Sequence, residues 1–202
     1  MKLSLVLLTA STLAACGSDD IDSDEEARRA YFGLDASIEK SLALGFAGFN
    51  ASSSANIVPQ MMTGDGAGML TITGQVDQGS SDNKGMRLRV GMVSYTDGAV
   101  TIAQEGEDDV TVDITYNTHV DPTMQPSLEL SLKNIPTGTF TGTLTGIYTM
   151  TGDIDADAEL NLSFSGSLQS SGSGATNRVP GGTTVTGTAK SGDGVYNVDV
   201  KL

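Results

Sequence analysis

The sequence predicts a mainly β fold: one N-terminal helix packed on a strongly curved antiparallel meander sheet of about nine strands, open or closed into a barrel. Three observations carry this expectation. A single stretch, residues 24–48, spaces its apolar side chains near the 3.6-residue helical period. From Met69 to Leu202 the apolar period is two, with one apolar and one polar face per run. The connections between these runs are short, with no helical pattern among them, which favours antiparallel hairpins over parallel crossovers.

The helix starts at a capping box, Ser23-Asp24-Glu25-Glu26, with Ser23 as N-cap and Glu26 three residues on. Its stripe is Ala27, Tyr31, Leu34, Ile38, Leu42, Phe46 and Phe49. Gly33, Gly45 and Gly48 each cost about 1 kcal/mol relative to Ala, so the second half is expected to fray or bend. The polar run NASSSAN at 50–56 then ends it, with Pro59 beyond.

The strands follow in order. Leu70, Ile72 and Val76 alternate with threonines and Gln75, and Met86, Leu88, Val90 and Met92 alternate with Arg87 and Arg89. A short strand is expected near 99–103, then a continuous one over 110–116. Leu128, Leu130 and Leu132 share a face, and Phe140, Leu144, Tyr148 and Met150 share another, opposite Thr139, Thr141, Thr143 and Thr145. Ile154, Leu160, Leu162 and Phe164 oppose Asp153, Asp155, Asp157 and Glu159; Val185 and then Tyr196, Val198, Val200 and Leu202 close the series. Turns fall at TDG (96–98), TGD (151–153) and SGDG (191–194). Two longer Gly/Ser-rich loops, 77–85 and 169–182, are expected to be mobile. A sheet with one apolar face must be covered, and the helix is its cover.

The first residues speak to location. Met1-Lys2 precedes an apolar run, residues 3–13, too short for the about 20 residues that span a bilayer, so it reads as an export signal. Leu13-Ala14-Ala15-Cys16 then follows, with the single cysteine of the chain. This segment resembles the lipobox of bacterial lipoproteins. The resemblance implies cleavage before Cys16, diacylglycerol on its thiol, and no disulfide in the mature chain. The organisation expected is a signal peptide over 1–15, an acidic tether over 16–22 and a single helix-plus-β domain over 23–202. Gly17, where Asp favours inner-membrane retention in such systems, implies an outer-membrane anchor, with the periplasmic face preferred to the cell surface.

Formal net charge is −14, and −15 once Lys2 leaves. Such a chain is repelled by nucleic acid and by anionic head groups, so nucleic acid is excluded as a partner and membrane contact is left to the lipid. No catalytic set, cofactor motif or metal site stands out. Asp153, Asp155 and Asp157 begin like an EF-hand loop, but Ala158 and Phe164 stand where Gly and Glu are needed. EGEDD at 105–109 reads as an acidic turn. His119 is the single histidine, and although Asp121 is near it, no nucleophile elbow accompanies the pair. The expected function is that of a non-enzymatic, monomeric envelope lipoprotein binding a lipid-like ligand or an envelope protein. Phe46, Met86, Met92, Tyr148 and Met150 are the candidate apolar lining, between helix and sheet. The alternatives are a structural or adhesion module with no small ligand and, third, an outer-membrane β-barrel.

Overall fold

The computed structural model describes residues 20–103, 109–171 and 175–202. Cys16, the lipobox and most of the 105–109 acidic turn lie outside them. Two helices, α1 (Asp24–Phe32) and α2 (Asp35–Ala51), precede eleven strands among the described residues. The strands are β1 (Gln60–Thr63), β2 (Ala67–Val76), β3 (Lys84–Thr96), β4 (Val100–Ile102), β5 (Val110–Val112), β6 (Ile114–Asn117), β7 (Ser127–Lys133), β8 (Thr139–Gly152), β9 (Ala156–Ser170), β10 (Thr176–Ser191) and β11 (Gly194–Lys201).

Nine of these strands form one antiparallel sheet, and β4 and β5 form a separate ribbon. The path runs β1-β2-β3-β6-β8-β9-β10-β11, with β7 also lying between β3 and β8. The registers explain this doubling. Tyr95 of β3 pairs with Tyr116 of β6, while residues 84–89 of the same strand pair with β7. β6 and β7 therefore occupy one lane of the sheet, interrupted by residues 118–126. With that lane counted once, the sheet is a simple meander. It curls into a partial ring that does not close, because β1 and β11 are its ends. Its inward face and the helices share one apolar core.

α1 opens as expected, with the Ser23 hydroxyl accepting from Glu26 N–H. The Glu26 carboxylate reaches back to Asp22 N–H at 2.9 Å. The single expected helix is broken in two at Gly33-Leu34. Packing accounts for the break: a Cβ on Gly33 would stand 2.5 Å from the Tyr116 hydroxyl, which donates to the Ala30 carbonyl. The ring is thus seated where the first helix ends.

Other boundaries also differ. β1 was not expected, because QMMT has no alternation and three of its four residues are exposed. The expected 110–116 strand divides at Asp113, where the chain changes partner from β4 to β8. Residues 176–182, expected in a mobile loop, belong to β10, whose register against β9 jumps between Arg178 and Thr183. The 77–85 loop is tied down: Asp77 accepts from Gly85 N–H and Arg87, and the Asp82 carbonyl accepts from Ile135 N–H. Ile21, which falls in the segment expected to be an acidic tether, is 1% exposed and within the core.

Candidate functional site

Two glycines of α2 sit close against the rest of the fold. A Cβ on Gly45 would meet Met86 Sδ at 2.9 Å, and one on Gly48 would meet Ile57 at 2.9 Å. The buried face of α2 is accordingly Ser37, Ser41, Gly45 and Gly48 together with Ile38, Leu42 and Leu44. The two buried hydroxyls are satisfied within the helix, Ser37 on the Leu34 carbonyl and Ser41 on the Ser37 carbonyl. Gly45 and Gly48, expected to let the helix fray, are instead packed against Met86 and Ile57.

Two charged clusters flank this seam. On one side Arg178 projects from the β10 irregularity onto the first turns of α2. Its guanidinium donates to both carboxylate oxygens of Asp35 at 2.8 and 2.9 Å, to the Asp35 carbonyl at 3.1 Å and to Glu39 at 3.0 Å. Tyr31 donates to the same Asp35 carboxylate, and burial, reinforced by that carboxylate, raises its phenol well above the ordinary value. On the other side Lys40 bridges Asp97 at 2.5 Å and Asp65 at 3.0 Å. Burial acts to raise the Asp97 carboxyl. The Lys40 ammonium, Asp65 N–H and the Tyr95 hydroxyl outweigh it and hold the group below its ordinary value.

The five candidate lining residues divide. Met86, Met92, Tyr148 and Met150 are in the core, each 1% exposed. Tyr148 stacks edge-on against Tyr116, with ring centroids 6.3 Å apart. Phe46 is half-buried in a surface cleft of about 340 Å3 with Ala43, Ala47, Asn50 and residues 175–177, a cleft that none of the other four lines. The carboxylates weighed as an ion loop stitch a turn instead: Asp153 accepts from Asp113 N–H and Asp155 from Gly152 N–H. Asp157 alone of the three is on a strand, accepting from Thr149. The Asp121 carboxylate is turned onto Thr123, and His119 Nδ1 accepts from Asp121 N–H, so the two side chains do not form a relay.

No family model, curated protein or solved structure matches the chain. Its surface therefore has to be read on its own chemistry.

The feature absent from the sequence reading is on the outer face. Met61 of β1, Met69 of β2 and Val93 of β3 share that face, and Met69 registers directly with Val93. Beside them the 118–126 loop leaves the lane next to Met92, through Thr118 N–H to the Met92 carbonyl. It returns with Gln125 packed over Gly91 and the Pro126 carbonyl accepting from Val90 N–H. Arg89 donates to the Gln125 carbonyl at 3.1 Å, which fixes the loop's far end. Val93, Met61, Met124 and Val120 are 65, 61, 64 and 88% exposed. Concentrated apolar exposure of this kind marks interaction surfaces.

Proposed function

We propose that this chain is a non-enzymatic, lipid-anchored envelope protein that binds a protein partner through the outer face around Val93 and Met124. The anchor is diacylglycerol on Cys16, the membrane is the outer one, and the domain lies on its periplasmic side. The observation that carries the reading is the exposure of Met61 and Val93 on one outer face of the sheet, with Val120 and Met124 exposed on the adjoining 118–126 loop. Methionine side chains suit such a surface, being flexible and polarisable. The helix seam supports surface binding over a buried ligand, because Gly45 and Gly48 leave less than a methyl's width before Met86 and Ile57. The threonine face of β8 (Thr139, Thr141, Thr143, Thr145) is exposed, as suits water rather than lipid, which weighs against a membrane barrel.

The test is a photoreactive residue at Met124 in cells making the full chain. A discrete protein adduct is expected, and it should disappear when Val93→Lys is added. Native mass spectrometry of protein taken from membranes supplies the opposing result. A stoichiometric bound apolar molecule, with no adduct, would return the reading to a lipid carrier.

A further inference from the structure

We propose that the end of the sheet carrying the turns after β1, β3, β8 and β10 is the membrane-proximal face, and that a zwitterionic phospholipid surface is its partner. This rests on the lipid-anchor reading. The chain enters the fold at that end and is fixed there. Ile21 N–H donates to the Ser191 hydroxyl at 3.2 Å, and that hydroxyl lies 3.0 Å from an Asp20 carboxylate oxygen and 2.8 Å from the Asp157 carbonyl. Ile21 is buried, so the entry point cannot swing.

Four peptide units separate Cys16 from Asp20, and fully extended they reach about 14 Å. The strand β8 alone has 14 residues, about 45 Å along its length. The acylated end of the chain therefore cannot reach the far turns at 77–83 and 134–138. Antiparallel order puts the 64–66, 97–99, 153–155 and 192–193 turns at the near end.

The chemistry of that end selects the lipid. Asp153, Asp155 and Asp193 are exposed there, with Lys190 as a nearby exposed cation; Asp65 is exposed too but already paired with Lys40. Charges within a Debye length, about 8 Å at physiological salt, are felt directly. A head group whose outermost charge is an ammonium complements these carboxylates, and a net anionic leaflet repels them.

The single native cysteine makes the test clean, because lipidation consumes it. Full-length protein shown by mass spectrometry to be acylated is labelled at Thr151→Cys, exposed at the near end of β8, or at Ser81→Cys and placed in phosphatidylcholine vesicles carrying a head-group acceptor. Energy transfer is expected to be higher from position 151 than from 81, and to fall at 151 when phosphatidylglycerol is added. Equal or reversed transfer from acylated protein, or transfer at 151 that is unchanged by or rises with phosphatidylglycerol, overturns this proposal and leaves the lipoprotein reading standing. Absence of acylation on the native chain overturns both.

Discussion

The two charged clusters that flank α2 do the same job by different means. Arg178 presents a planar fork, engaging both oxygens of Asp35, a carbonyl and Glu39 at once. Lys40 is a point charge shared between Asp97, whose side chain is 3% exposed, and an exposed Asp65. A fork fixes position and angle, whereas an ammonium compensates charge from many directions. The Arg178 side sets how the helix lies against β10, and the Lys40 side keeps a buried carboxylate from standing alone.

The largest effect is expected at Arg178. Arg178→Met should cost about 3–5 kcal/mol, since it leaves two partly buried carboxylates facing each other without a cation. Arg178→Lys should recover less than half of that loss, while Lys40→Arg should be close to neutral; denaturant midpoints measure both. A similar recovery by the two conservative changes would erase the distinction. Next comes Lys40→Met, at about 1–3 kcal/mol, for loss of a hydrogen-bonded buried charge pair. This variant also changes the acid limb. Asp97 is depressed in the folded chain, so its contribution is present above the unfolded value near 4 and is lost as pH falls through the lower folded value. The wild-type acid transition should therefore be steeper below about pH 4 than that of Lys40→Met, as followed by circular dichroism. The smallest effect sharpens the seam between the clusters. Gly45→Ala gains about 1 kcal/mol of helix propensity but must displace Met86, for a net loss of about 1 kcal/mol. A net gain in melting temperature would show that the seam has slack.

The β architecture was legible because alternation is a long-range signal: the inward positions of β2, β3, β7, β8 and β9 are the buried ones. Where a strand resets its parity, the signal fails. At Ser94, with φ 46°, opposite Gly68 at φ 74°, a bulge lets both Met92 and Tyr95 face the core. Arg178 was missed because NRVPGG has the composition of a loop, yet its Pro and Gly build the irregularity that aims the guanidinium. Asp97 reads as an ordinary turn residue and gives no hint of burial. Phe46 lies apart from the other four candidates for a different reason. The stripe is buried from Ala27 to Leu42 but only partly so at Phe46 and Phe49, where Gly45 and Gly48 take the close contacts, which periodicity of large side chains cannot register. The patch around Val93 is assembled from three strands and a loop, and single exposed Met or Val residues carry no signal until registers are known.

The interrupted lane has a consequence for how this molecule can change over evolutionary time. β6 and β7 are each held in place by their own ladders to β3 and β8, and the loop's ends by Thr118 and Gln125–Pro126, so the six exposed positions from 119 to 124 bear no responsibility for register. Substitution or change of length there leaves the core untouched, and closing a somewhat longer loop adds only about 0.6 kcal/mol per doubling. On the proposed binding reading, specificity drifts in that segment at nearly constant stability, which separates the inheritance of the fold from that of the proposed partner.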